Sequence, residues 1–98
     1  MLAEDIRKRI EADFGNEAGK QVEADIESFI DSYHGVYGTH PADRIVRCIV
    51  HLAKGNSEAL RHNMKAALGD WRDVIYWAEY DSKDKRIFDF SLPFKLSE

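Results

Sequence analysis

The chain has 98 residues, a net charge of −4 and a hydrophobic fraction of 44%. This length suits one domain over residues 1–98, and this hydrophobic fraction excludes a largely disordered chain. The single cysteine, Cys48, excludes an intramolecular disulfide. We expect a cytoplasmic protein with no membrane partner, because the sequence contains neither a signal peptide pattern nor the ~20 apolar residues of a membrane span.

The spacing of apolar residues predicts an all-α fold, a compact bundle of about five short helices followed by an extended aromatic arm. Glycines and capping residues mark the helix ends, and Pro41 favours the first turn of the third helix. Short connections make the third and fourth helices an antiparallel hairpin. The predicted helices span 2–14, 17–34, 41–54, 57–68 and 71–80, and residues 81–98 form the arm.

Helix 71–80 is apolar on two sides. Trp71, Val74, Ile75 and Ala78 form one stripe, while aromatic residues occupy most of the other side. A helix apolar nearly all round needs cover on two sides, and the first four helices can provide only one of them.

The arm is the nearest candidate for the second cover. Phe88, Phe90, Leu92 and Phe94 alternate with polar residues and Pro93, which indicates an extended segment. It can pack on its own chain, or it can reach a second copy in a dimer; a ligand cleft is a third reading. Tyrosine and tryptophan are enriched at interfaces. The predicted interface residues are therefore Tyr76, Trp77, Tyr80, Phe88, Phe90 and Phe94.

The middle of the chain is basic. Residues 40–68 carry five basic and two acidic side chains, whereas residues 1–39 carry four basic and nine acidic ones. The first interpretation is a solvated face that balances the acidic helices. The alternative is an anion- or nucleic-acid-binding surface on the outward faces of the third and fourth helices, although the net negative charge argues against a DNA reader. Its residues would be Arg44, Arg47, His51, Arg61 and Lys65.

Motifs for catalysis, metals and cofactors are not found. The acid–histidine pairs Asp31/His34 and Glu58/His62 are predicted to point to solvent on separate helices, and Cys48 is predicted to act as a small hydrophobe. We therefore expect no metal, no cofactor and no catalytic residue. The competing hypothesis is a small enzyme with an aromatic-lined cleft formed by His40, Asp73, Trp77 and Tyr80.

The segment Gly69-Asp70-Trp71-Arg72-Asp73-Val74-Ile75-Tyr76-Trp77-Ala78-Glu79-Tyr80, together with the preceding helix from Arg44 to Gly55, resembles small uncharacterised bacterial all-α proteins. The resemblance covers the C-terminal half of the chain. It implies a bacterial origin and no particular activity. The expectation from the sequence is a protein-interaction or homo-oligomerising module, with self-association or another protein as partner.

Overall fold

The computed structural model describes residues 2–38 and 41–94. It has the predicted all-α fold of five helices. Of the predicted extended arm over residues 81–98, residues 95–98 lie outside the described residues, and the described part has turns at 81–85 and 89–92. The second helix is longer than predicted, because it continues through Gly35 to Tyr37 instead of ending at 34. The helices are α1 (Glu4–Phe14), α2 (Asn16–Tyr37), α3 (Asp43–Ala53), α4 (Ser57–Gly69) and α5 (Trp71–Glu79).

Local side-chain chemistry explains where α4 and α5 begin. The side chain of Asn56 accepts a hydrogen bond of 2.9 Å from the Ala59 N–H, and that of Asp70 accepts one of 3.0 Å from the Arg72 N–H. Each satisfies an N–H that the first helical turn cannot pair. The sequence predicts Asp70 as the cap of α5 and either Asn56 or Ser57 as the cap of α4; the cap of α4 is Asn56.

The centre of the bundle is α3, which packs against α1, α4 and α5. Its residues from Ile45 to Val50 are all buried, so it contributes to the core around nearly its whole circumference. The chain therefore covers α3 on more than one side, whereas the side of α5 that carries Tyr76 and Trp77 stays exposed. This difference decides where the arm lies.

The turn between α3 and α4 is fixed against the end of α1. Gly55 has a positive φ of 78°, and a Cβ atom at this position would lie 2.6 Å from the carbonyl oxygen of Asp13. Only glycine fits both the left-handed backbone and this close approach. The hairpin of α3 and α4 is thereby held on α1.

No helix within residues 2–38 and 41–94 is long and apolar enough to cross a membrane.

Candidate functional site

The arm, which we define as residues 86–94, returns along the bundle after a tight turn. Tyr80 and Arg86 form an isolated antiparallel bridge across the turn of residues 81–85. The side chain of Asp81 closes the turn by accepting hydrogen bonds from the N–H groups of Lys83, at 2.8 Å, and Lys85, at 3.0 Å. This turn directs the arm away from the outer face of α5.

The first anchor of the arm is the carboxylate of Glu79, which is 0% exposed. The guanidinium of Arg44 donates two hydrogen bonds to it, at 2.9 and 2.7 Å. From the arm, Arg86 donates one at 2.9 Å and the Phe90 N–H another at 3.2 Å. Burial would raise the pKa of Glu79, but the hydrogen bonds from Arg44, Arg86 and Phe90 lower it below its ordinary value. The group is therefore held as a carboxylate.

The second anchor is Asp5 of α1. Arg47 donates hydrogen bonds of 2.9 and 3.2 Å to its carboxylate, and the Phe94 N–H donates one of 3.0 Å. Arg47 also donates a 3.2 Å hydrogen bond to the carbonyl oxygen of Phe90. Burial alone would raise the pKa of Asp5, but the bonds from Arg47 and Phe94 bring it below its ordinary value. Asp5 and Arg47 thus join the N-terminal helix, α3 and the arm.

Aromatic side chains fill the space between the two anchors. Phe90 and Phe94 are buried, and the ring of His51 lies 4.8 Å from that of Phe88 and 4.9 Å from that of Phe90. The Arg9 guanidinium lies over the Phe94 ring at 4.8 Å, within the range of a cation–π contact. The arm therefore covers α3 and α1 of its own chain.

Cys48 lies beside the first anchor, with its Sγ atom 3.8 Å from Oε2 of Glu79. Burial raises the pKa of this thiol, and the neighbouring Glu79 carboxylate raises it further. The thiol is therefore neutral, in keeping with a small hydrophobic residue and unlike an activated nucleophile.

The outer side of α5 carries what we call the aromatic face, the side chains of Tyr76 and Trp77. They are 47% and 48% exposed. The Tyr76 ring stacks on that of Tyr80 with 5.5 Å between the centroids, and its hydroxyl donates a hydrogen bond to Asp84 in the turn. The expectation that the arm covers this side of α5 is wrong, because the arm is held on α3 and α1 instead.

The predicted interface residues therefore divide into two groups. Phe88, Phe90 and Phe94 pack against the body of their own chain, where Phe90 and Phe94 are buried. The remaining residues, Tyr76, Trp77 and the half-buried Tyr80, lie on the other side of the turn. The structure brings the members of each group together but does not join the groups into one surface.

The predicted anion-binding residues are also separated. The placement of Arg47 on an outward face is wrong, because Arg47 is only 6% exposed, whereas the Arg44 side chain is 38% exposed. Both guanidinium groups are engaged by carboxylates of this chain. His51 is half-buried against the arm. Arg61 and Lys65 alone of the five are exposed, on α4. The net positive charge of residues 40–68 thus includes two cations, Arg44 and Arg47, that form ion pairs within the chain.

The metal and cleft hypotheses can be compared with the described part of the chain. Within the described ranges, no group of three or more His, Cys, Asp or Glu side chains could hold a metal ion. Of the four residues of the hypothetical cleft, His40 lies outside the described residues. Two cavities of about 500 and 630 Å³ lie along α2, and neither is lined by Asp73, Trp77 or Tyr80.

The sequence pattern did not predict Asp5 and Glu79 as the residues that hold the arm. For Glu79 a signal was present: it ends α5, where the helix dipole disfavours negative charge. An acid in that position indicates a specific cationic partner. For Asp5 there was no such signal, since acids are favourable in the first turn of a helix.

Comparison with protein-family models, with curated proteins and with solved structures finds no match to the chain.

Proposed function

We propose that this protein is a small self-associating module, and that the aromatic face of α5 is the surface at which two copies meet. The observation that supports the proposal is the exposure of Tyr76 and Trp77, two large side chains adjacent on one helix and each about half exposed. Tyrosine and tryptophan contribute large, rigid contact areas and dominate the energetics of many interfaces. Burial of this face would extend the core of a small domain.

The charges around the aromatic face favour a second copy as the occupant. Asp73 precedes the face by one helical turn, whereas Lys83 and Lys85 follow it in the turn of residues 81–85; all three are exposed. A twofold axis through the aromatic face and perpendicular to α5 would place the α5 helices antiparallel. Asp73 of each copy would then approach the lysines of the other, so the surface is complementary to itself.

Sedimentation velocity over a range of protein concentrations tests the proposal. The wild-type chain is expected to form a dimer, and Trp77→Lys is expected to be monomeric because two ammonium groups would be buried near the twofold axis. The control is Val36→Lys, since Val36 is 60% exposed on α2. This variant is expected to dimerise like the wild type. Far-ultraviolet circular dichroism checks that both variants keep their helices.

Two results would contradict the proposal. One is a wild-type chain that stays monomeric at every concentration. The other is a dimer that Trp77→Lys leaves intact, or that Val36→Lys weakens by the same factor, since association would then use another surface.

A further inference from the structure

We infer that the arm exchanges between two copies of the chain, with residues 81–85 as the hinge. In the exchanged dimer, each arm docks on the anchors of the other copy. This inference rests on the proposed self-association, to which it adds a mechanism and a defined partner segment, residues 86–94 of a second copy.

The arm is docked partly by Glu79, next to the hinge, and partly by segments distant in sequence. The Phe94 N–H binds Asp5, which is 89 residues away, and the Phe90 carbonyl binds Arg47, 43 residues away. The ring of Phe88 lies against His51. A second copy presents the same carboxylate, guanidinium and imidazole in the same places. Exchange of the arm therefore preserves these contacts, and the balance between closed and exchanged forms depends on the hinge.

In the closed form the hinge is exposed, contains one left-handed residue and is held by hydrogen bonds within the turn. Asp84 has a φ of 59°, in the left-handed region that a residue with a Cβ atom disfavours. Its N–H binds the carbonyl of Asp81 at 3.1 Å, and residues 82–85 are exposed. Opening the hinge relieves the left-handed conformation, at the cost of the turn's own hydrogen bonds. Short strained hinges are a recognised route to domain exchange.

The short hinge also limits how far apart the two aromatic faces can lie in the exchanged dimer. Five extended residues span about 17 Å at most. Once the hinge is open, the C-terminal ends of the two α5 helices must therefore lie side by side. Tyr76 contacts the hinge through its hydrogen bond to Asp84, and Trp77 is its neighbour on the helix. The exchanged dimer thus brings the two exposed aromatic faces near each other.

Cross-linking distinguishes the closed form from the exchanged form directly. In the double variant His51→Cys/Phe88→Cys, a short bismaleimide joins two positions whose native rings lie 4.8 Å apart. Cys48 is buried and is not expected to react. The isolated dimer is treated with the reagent and then denatured. Arm exchange yields covalent dimers, whereas closed chains that associate face to face yield internally linked monomers, a result that would overturn the inference while leaving the proposed function intact.

Substitutions at Asp84 give a second, independent measurement that needs no cysteine. Asp84→Pro cannot adopt a φ of 59° and lacks the N–H that binds Asp81, so it should raise the dimerisation constant about tenfold. Asp84→Gly relieves the strain in the closed form and should lower the constant about threefold. Asp84→Asn, which tolerates the left-handed region, is the matched control and should behave like the wild type.

The outcomes separate the two proposals. A dimer that Trp77→Lys dissociates, but whose constant is the same in all three Asp84 variants, supports the proposed function and overturns arm exchange. A chain that is monomeric in every variant overturns both. Opposite shifts for Asp84→Pro and Asp84→Gly, together with covalent dimers on cross-linking, support both.

Discussion

The buried carboxylate of Glu79 lies at the end of α5 where the backbone dipoles disfavour it, and burial removes its hydration as well. Arg44 and Arg86 compensate for both effects, and the Phe90 N–H adds a further hydrogen bond. Removing the charge of such a group leaves its partners partly uncompensated. The contribution of Glu79 is therefore expected to be far larger than that of an ion pair at the surface.

Glu79→Gln is expected to lower the free energy of unfolding by about 3 kcal/mol, the range for breaking a buried ion pair by changing one partner. The amide has nearly the same shape as the carboxylate but lacks its charge and can accept at only one atom. Urea denaturation measures the difference. Glu23→Gln is the matched control, because Glu23 pairs with Arg7 at 3.2 Å on an exposed surface. Glu23→Gln should lower the free energy of unfolding by less than about 1 kcal/mol. Equal losses in the two variants would contradict the role assigned to Glu79.

The two anchors also predict a dependence of stability on pH. The pKa values of Asp5 and Glu79 in the folded protein lie below their ordinary values of 3.8 and 4.5. Their contribution is therefore complete above about pH 5 and is lost as the pH falls through the ordinary values toward the lowered ones. Urea denaturation at a series of pH values from 6 to about 3 checks this. Glu79→Gln should show a shallower decline than the wild type, and identical slopes would rule out Glu79 as a source of the effect.

At the scale of residues, a helical wheel could not identify the anchors. It places Arg44 and Arg47 on the side of α3 away from the first apolar stripe, which ordinarily means the solvent side. Whether that side is exposed depends on a segment more than 30 residues later in the chain, and local periodicity carries no information about such contacts. The aromatic face was predicted because two large aromatic residues beside a complete apolar stripe are excessive for one buried side.

Among the helices, two glycines make opposite predictions for the same substitution. Gly55→Ala is expected to destabilise the protein by about 2 kcal/mol or more, since it places a Cβ atom 2.6 Å from the Asp13 carbonyl at a positive φ. Gly35→Ala lies within α2, with nothing within 4 Å of the new Cβ atom. It should stabilise the protein by about 0.5–1 kcal/mol. Thermal denaturation of both variants measures these changes in stability. A loss of stability in Gly35→Ala would contradict the helical assignment at this position.

Helix ends that depend on near neighbours in the sequence could be predicted, whereas helix ends that depend on distant contacts could not. Asn56 and Asp70 begin α4 and α5 through hydrogen bonds to N–H groups two or three residues away, so their sequence positions suffice. The end of α2 was misplaced because Gly35 was taken as a helix end. A glycine that costs about 1 kcal/mol in propensity can be carried by a helix whose last turn is packed. Tyr37 supplies that packing, with its hydroxyl bound to the Leu68 carbonyl at 3.0 Å.

For the whole molecule, the arm completes a core that the five helices leave open. Its period-two alternation predicted an extended segment, but a turn closed by the hydrogen bond from the Leu92 N–H to the Asp89 carbonyl interrupts it. The alternation also could not indicate which helix the phenylalanines would cover. The phenylalanines cover α3, the helix that is buried nearly all round. Its Arg44 and Arg47 bind the carboxylates, and Arg47 also binds the arm backbone. Because Asp5 binds the Phe94 N–H, the first helix and the arm stabilise each other across almost the full length of the chain.

This arrangement predicts that the arm can be supplied as a separate peptide. A chain ending at Tyr80 loses the arm contacts of Glu79, Asp5 and Arg47, so it should unfold at lower temperature and over a broader range than the full chain. A peptide of residues 81–94 added in excess should restore a cooperative transition, since a ligand that binds only the folded state stabilises it by mass action. Differential scanning calorimetry follows the recovery. The control peptide carries Phe90→Ala, which removes a buried ring, and should restore much less at the same concentration. Equal recovery with the two peptides, or none with the native one, would show that the arm does not recognise the body through the contacts described above.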